Sequence, residues 1–572
     1  MTSADVLLRY QQKIEQLQAS LVDLQSRQTI TALLIGAALL AGVYFGYLAL
    51  ARRAMPLWFS PLSLPVAAYS LRTYARRRLL VDSSTQLREF YERGVARLED
   101  RWAGECDSGE EFMQPGHLHA RDLNLFGEGS VYERLCTART YWGRERLAQY
   151  LQTPAGLDEI LARQSAVKEL VLRDDLTESI ALLRGESSTG AKDWLDAPSA
   201  DLPAWLRPVL VVSSIALAAA GWYAPAGAVF FLNGAIGLYL RRRVNRVVSA
   251  AASVAGELET AREGLALLAA QRFESAKLQE LARRAVPAEK AIGALACWFD
   301  VLRHRTKDWF YLPSLLLFAG THSALAIESW RLKNGAALRQ WLDAWAEFET
   351  LHALALYARE NPEDCWPVID DETAFHAEAL GHPLLPRAAC VRNDIALEQF
   401  YVVSGSNMAG KSTLLRSIGV AAVLAYCGAP VRAASIRLGN MRVCASMSIV
   451  DSMREGKSKF LAEVERLRDT LALAASTPVL FLIDEIFSGT NSPDRQTAAD
   501  AVMRTLAERG AIGALSTHDI SVTEVSRHGG TNLHMAARDE SNDPLDFDYQ
   551  LKPGVTRESN ALAIARLAGV PC

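Results

Sequence analysis

The chain has 572 residues, enough for roughly two to four domains that each bury a core of their own. Its 61 Lys and Arg against 65 Asp and Glu leave a net charge of -4 and a pI near 6.3, so no general basic field is offered to nucleic acid. The mean hydropathy of +0.04 is high, and the apolar excess is concentrated in a few uncharged windows. The eight cysteines, from Cys106 to Cys572, form no C-x-x-C pair and have no His at metal-ligand spacing; they read as reduced packing residues of a cytosolic compartment.

Residues 1–28 place Leu7, Tyr10, Ile14, Leu17, Leu21 and Leu24 at spacings of three and four, which predicts a short coiled coil or a single amphipathic helix. The first apolar run begins near Thr29 without a small-residue cleavage site, so it is expected to remain as an anchor. From Gln28 to Ala51 no residue is charged, and the run is long enough to cross a hydrocarbon core. Ala54 to Leu71 is also uncharged but is interrupted by Pro56, Pro61 and Pro65, giving a return span or a re-entrant segment. Residues 29–71 are therefore predicted as a transmembrane hairpin, with Arg72, Arg76, Arg77 and Arg78 on its cytoplasmic flank. Arg52 and Arg53 in the turn oppose that orientation.

Residues 72–201 return to helical periodicity, through Leu87, Phe90, Tyr91, Val95 and Leu98 and again from Leu123 to Leu170, with Gly143 and Pro154 as punctuation. The window 202–240 holds Arg207 as its one charge, has Trp222, Tyr223 and Pro225 at its middle, and ends in Arg241, Arg242 and Arg243. It reads as a second transmembrane hairpin, with a buried helical pair as the alternative. Residues 241–360 are again helical, over Leu258–Ala285 and Leu338–Ala358. The uncharged run Trp309–Ile327 reads as a buried helix whose His322 is a core residue.

From Asn361 short apolar runs alternate with helices, the pattern of an α/β nucleotide domain over residues 361–572. An apolar strand, Phe400 to Val403, leads into Gly405, Ser406, Asn407, Met408, Ala409, Gly410, Lys411, Ser412 and Thr413, which completes G-x-x-x-x-G-K-[ST]. The glycines let backbone N–H groups turn inward around phosphate oxygens, and the helix that follows aims its partly positive end at the same anion. Lys411 is expected on the β- and γ-phosphates and the Ser412 hydroxyl on Mg2+, so ATP and Mg2+ are the predicted ligands. The buried-strand run V-L-F-L-I after Pro478 ends in Asp484 and Glu485. Asp484 is expected in the Mg2+ shell, and Glu485 is expected to position or deprotonate the attacking water.

Taken together, G-S-N-M-A-G-K-S-T at Gly405–Thr413, D-E-I-F-S-G-T at Asp484–Thr490 and S-T-H-D at Ser516–Asp519 resemble the ATPase domain of the MutS family of DNA mismatch-repair proteins. The resemblance extends to G-H-P-L-L at Gly381–Leu385, to A-Y-C-G-A-P-V-R-A and to the terminal L-A-G-V-P, covering roughly Leu380–Pro571. A weaker likeness to the family's helical core lies in L-F-G-E-G-S from Leu125 and R-T-Y-W-G-R-E-R-L-A-Q-Y-L from Arg139. The fold this implies is an ABC-type P-loop ATPase domain at the C-terminus, preceded by a mostly α-helical MutS-like core that the transmembrane hairpins interrupt.

The resemblance implies an ATP hydrolase working as a homodimer with two composite sites. Glu485 would be its base, His518 its γ-phosphate sensor, Asp484 and Ser412 its metal contacts, and Ser458 the signature serine aimed at the partner's nucleotide. The family carries Ser-Thr where this chain has Ser458 then Lys459, and Asn491–Asp494 would couple the two sites. No mismatch-reading domain is expected at the N-terminus, where the heptads and the predicted spans take its place. Phe90-Tyr91-Glu92 spells the family's Phe-x-Glu wedge, but on an amphipathic helix next to a membrane segment. The expectation is a membrane-anchored ATPase with its ATPase domain cytoplasmic and mismatch recognition absent. The alternative is a membrane-tethered DNA-binding protein of repair or recombination. A transporter is disfavoured, because apart from Arg207 near one edge the proposed spans lack ionisable residues to line a path.

Overall fold

The computed structural model describes residues 2–50, 63–183, 190–202, 209, 212, 224–305, 307, 314, 318–447, 459–488, 492–536 and 546–556. They divide into two compact units.

The first unit holds Met1–Trp102, Arg173–Leu182 and Arg359–Pro362. Its body is α1 (Ser3–Leu50) against α2 (Ser63–Leu98). Tyr10 packs edge-on against Tyr91, with ring centroids 5.1 Å apart, and Arg77 donates to the Arg27 carbonyl, so the two helices run antiparallel. The N-terminal heptads thus find their partner inside the chain: Val6, Tyr10, Ile14 and Leu17 pack on Leu87, Phe90, Tyr91, Val95 and Leu98. α1 also runs unbroken through the boundary expected at residue 28. Among the described residues, one helical stretch is long and apolar enough to cross a membrane. It is Ser3–Phe45, with a mean hydropathy of 1.7 over its best window, and only 6% of that window is buried. Leu33, Leu34, Leu39, Leu40, Val43 and Tyr44 are exposed there, as are Val66, Tyr69 and Leu71 on α2. Arg52 and Arg53 lie outside the described residues.

The base of this unit is polar and paired. Arg97 grips Glu360 with two hydrogen bonds of 2.8 and 2.7 Å, both side chains being buried. The Tyr91 hydroxyl donates to Glu178, on α6 (Asp174–Ala181), at 2.6 Å. The Phe90-Tyr91-Glu92 triplet is therefore spent on packing: Tyr91 is buried and Glu92 pairs with Arg88.

The second unit holds the remaining helices and both sheets. The 123–170 segment forms α3 (Val131–Leu135), α4 (Tyr141–Gln152) and α5 (Leu157–Val171). Gly143 is not a break. It sits in the first turn of α4, where its N–H is received by the Thr140 side chain at 3.1 Å, and a Cβ there would come within 2.3 Å of Glu349. After α7 (Gly190–Asp196) come α8 (Ala224–Ala269) and α9 (Ala276–His304), so the helix expected over 258–285 is interrupted. The Glu169 carboxylate takes the N–H groups of Glu274 and Ser275 at 2.8 Å each, and Ser275 caps α9. Within the window 202–240 residues 202, 209, 212 and 224–240 are described; 224–240 is the beginning of α8, which continues past 240 to Ala269, while Trp222 and Tyr223 lie outside the described residues. α10 (Ala319–Glu360) joins the end of the 309–327 run to the 338–358 helix, with His322 half-buried.

The α/β part carries two sheets. A four-stranded sheet has the order β1 (Val368–Asp370), β5 (Ser435–Gly439), β2 (Phe375–Leu380), β3 (Asn393–Leu397). A six-stranded sheet has the order β10 (Lys552–Pro553), β9 (Thr531–Met535), β4 (Phe400–Gly405), β8 (Ile512–Thr517), β7 (Val479–Asp484), β6 (Arg442–Ser446). Its five strands from β9 to β6 are parallel. Both faces are covered, which is why β7 and β8 read as continuous apolar runs rather than alternating ones. The helices α11 (Lys411–Cys427), α12 (Lys459–Ala474) and α13 (Ser492–Glu508) follow β4, β6 and β7 in the chain.

Candidate nucleotide site

β4, β7 and β8 end side by side, in the register Ser404 to Thr517 and Asp484 to Ser516. Chemistry gathers outside the carboxyl ends of such strands because the loops there connect to helix N-termini. Gly405 makes the turn out of β4, where a Cβ would lie 2.3 Å from the Met535 carbonyl. Gly410 holds φ 96° and opens α11 with no side-chain cap, which leaves the first-turn N–H groups of that helix for an anion. The Lys411 ammonium folds back over the loop, donating to the carbonyls of Gly405 and Ser406 at 2.8 Å each. Burial depresses its pKa, against the opposing pull of Asp484 and Glu485.

Both oxygens of Asp484 receive hydroxyls, Oδ2 from Ser412 and Oδ1 from Ser516. Glu485 follows in a left-handed conformation, φ 58°, with its N–H given to the Ser516 carbonyl at 3.0 Å. Its Oε1 lies 3.0 Å from His518 Nδ1, at the end of β8. The phosphate loop, Ser412, Asp484, Glu485 and His518 are thus brought together, while Ser458, Thr490 and Asn491 lie outside the described residues.

A cavity of 540 Å³ opens over the loop. It is lined by Asn407, Met408, Gly410, Lys411, Ser412, Thr413 and Glu485, and by Leu380, His382, Leu385, Asn393 and Tyr549 among others, with the Tyr549 ring close against Gly410. Asn393 ties the Tyr549 segment into that lining, donating to the Tyr549 carbonyl at 3.0 Å and accepting from the Leu551 N–H at 2.7 Å. Burial beside the Arg416 and Arg432 cations pushes His382 down to about 4. It is neutral near pH 7, and because its Nδ1 accepts the Leu384 N–H, the ring proton is on Nε2. Tyr549 was missed in the sequence, where it stands outside any motif; His382 was inside G-H-P-L-L without a role attached.

The donor set fits a nucleoside triphosphate and Mg2+. An open helix end and a buried ammonium suit phosphate charge, a hydroxyl and a carboxylate suit a hard cation, and the apolar and aromatic lining suits a base.

Residues 401–572 match the family model of MutS domain V. Over 258 residues the chain is 32% identical to the DNA mismatch repair protein MSH6 of Arabidopsis thaliana, covering 41% of this chain and 19% of that protein. It is 30% identical to the DNA mismatch repair protein MutS of Thermus thermophilus over 273 residues, covering 47% and 33%. It is 31% identical to that of Methanococcoides burtonii over 288 residues, covering 48% and 31%. The family-model match and these relatives point to the same family, over residues 401–572 for the model and over less than half of this chain for each relative. The chain spans a third or less of the length of these relatives.

Proposed function

We propose that the chain is a membrane-anchored ATPase of the MutS type that hydrolyses ATP at composite sites of a homodimer to drive conformational change. The observation that carries this reading is the meeting of Ser412, Asp484, Glu485 and His518 beside an uncapped helix end and a buried lysine. Lys411 and the first-turn N–H groups of α11 bind and orient the phosphates. Ser412 and Asp484 would hold Mg2+, which when bound would withdraw charge from the phosphate oxygens. Glu485 orients the attacking water and receives its proton, and His518 stabilises Glu485 Oε1 on the open side of the site. The homodimer is supported by apolar side chains exposed around the site, Met408 on the phosphate loop and Phe460, Leu461 and Val464 at the start of α12. The anchor is supported by the exposed apolar stretch of α1 and α2, which would place the ATPase domain on the cytoplasmic side of the Arg72–Arg78 cluster.

A second reading, a membrane-tethered DNA-binding protein of repair or recombination, is favoured by the names of the matched relatives. Turnover by the detergent-solubilised chain, with and without plain or mismatched duplex at two salt concentrations, separates the two. Stimulation by duplex that salt removes favours the DNA reading, because phosphate neutralisation releases counterions. Glu485-dependent turnover indifferent to duplex favours the first. Turnover that persists unchanged in Glu485→Gln overturns the site assignment in both.

A further inference from the structure

The turn that presents Glu485 is strained and is gripped from two sides. Glu485 and Phe487 both hold the left-handed region, φ 58° and 53°, which side chains other than glycine rarely adopt without external support. Within β7 the ladder fixes the backbone as far as Asp484, paired with Ser516 in β8, and the Glu485 N–H is still taken by the Ser516 carbonyl. Beyond that point the sheet offers nothing, and two side chains from helices take over.

Glu463, buried on α12, accepts the Phe487 N–H at 2.5 Å. From the opposite direction Arg495, in the first turn of α13, donates Nε to the Phe487 carbonyl at 3.1 Å and Nη2 to the Ser488 carbonyl at 3.3 Å. Its Nη1 lies 3.5 Å from Asp519, the residue after His518, so one guanidinium serves both segments that meet at Glu485 and His518. α12 is itself anchored one turn further on. Arg466 pairs with the buried Asp122, which also accepts the Met447 N–H at 2.8 Å, while the Asp122 carbonyl accepts from Arg416 on α11 at 3.0 Å. Phe460 adds a ring contact to Phe487, with centroids 6.0 Å apart.

We infer that Glu463 and Arg495 are positioning residues for Glu485, acting through the N–H and the carbonyl of Phe487 to hold the carboxylate where it meets His518 and the attacking water. Neither side chain lines the cavity, so neither is needed to bind nucleotide. The inference rests on the ATPase reading above.

The test is steady-state ATP turnover and fluorescent-nucleotide affinity of the full detergent-solubilised chain carrying Glu463→Leu, Glu463→Gln or Arg495→Met, each also in a Glu485→Gln background. Glu463→Leu removes the acceptor at similar volume. It is expected to lower kcat by about 10- to 100-fold, since a displacement of about 1 Å in a reacting group costs that much, with KM and nucleotide affinity nearly unchanged. Glu463→Gln keeps an acceptor oxygen and should recover most of the rate. In the Glu485→Gln background the loss should vanish, because there is no carboxylate left to position. Arg495→Met should show the same kcat-only loss, and it decides the matter if Glu463→Leu does not fold. Wild-type kcat in Arg495→Met or Glu463→Leu, an undiminished loss in the Glu485→Gln background, or a loss confined to KM would each overturn the inference. Absence of any Glu485-dependent turnover in the unsubstituted chain would instead remove the ATPase reading on which it rests.

Discussion

His518 Nδ1 lies 3.0 Å from Glu485 Oε1, so the ends of β7 and β8 carry the two halves of one acid-base pair. Neither side chain is buried, His518 being 48% and Glu485 34% exposed, and Glu485 lines the cavity. This is the arrangement of a group that needs access to water, in contrast to Asp484, whose two oxygens are already taken by hydroxyls.

Glu485→Gln keeps the shape and removes the base. Turnover is expected to fall by roughly 10²- to 10⁴-fold while ATP still binds. His518→Ala should cost less, roughly 10²-fold or below, because it removes only a partner of the carboxylate. Single-turnover hydrolysis alongside equilibrium binding checks both. A Glu485→Gln chain that hydrolyses at the normal rate would show that the base lies elsewhere.

Lys411→Ala removes the ammonium that now bridges Gly405 and Ser406. Loss of about 3 kcal/mol of nucleotide binding, roughly 10²-fold in Kd, is expected for a charged partner of a phosphate. Ser412→Ala should act differently, abolishing the gain in affinity that Mg2+ brings while leaving Mg2+-free binding intact. Titration of a fluorescent nucleotide with and without Mg2+ distinguishes the two, and equal Mg2+ dependence in Ser412→Ala would exclude the hydroxyl as a ligand.

The site was legible in the sequence wherever its chemistry is local. Gly405 to Ser412 is one turn, and Asp484-Glu485 is the end of one strand, so spacing alone exposes them. Glu463 and Arg495 were not legible. Each is an ionisable residue on an ordinary amphipathic helix, and its partner at Phe487 is fixed only when α12 and α13 pack against the sheet. The N-terminal heptads show the same limit in the fold. Their period announced a helix seam, but that Tyr10 meets Tyr91 depends on the return of α2. Gly143 failed as punctuation because what it accommodates is Glu349, more than two hundred residues away in the chain.

The exposed apolar stretch of α1 makes membrane anchorage directly testable. Leu33 and Leu40 are 69% and 73% exposed, so neither is needed to pack α1 against α2. Arginine at both positions should cost about 2.5 to 3.5 kcal/mol each if they sit near the bilayer centre. The doubly substituted chain is expected in the supernatant after alkaline carbonate extraction of membranes, with alanine at the same positions leaving it in the pellet. Extraction of the unsubstituted chain by carbonate alone would rule out a spanning anchor.

Glu349 provides a pH signature that is independent of the nucleotide site. It is fully buried on α10, where its carboxylate accepts the N–H groups of Arg139 and Thr140 at 3.0 and 3.3 Å and the Thr140 hydroxyl at the start of α4. Burial outweighs these hydrogen bonds and pushes the carboxyl up from 4.5 to about 7. Between those two values the folded chain holds a proton that the unfolded chain has lost. The contribution of this group to stability is therefore fully present below pH 4.5 and is lost as pH rises to about 7, a change of about 3 kcal/mol. Buried His119, pushed down to about 4, acts in the opposite direction over part of the same range, so the pH profile of one protein alone is a mixture. The difference between Glu349→Gln and the unsubstituted chain removes the histidine's contribution, which both proteins share. That difference in Tm, followed by calorimetry from pH 5 to pH 8, should shift steadily in favour of Glu349→Gln and level off above pH 7. A difference that stays flat would mean that Glu349 titrates alike in the folded and unfolded chains.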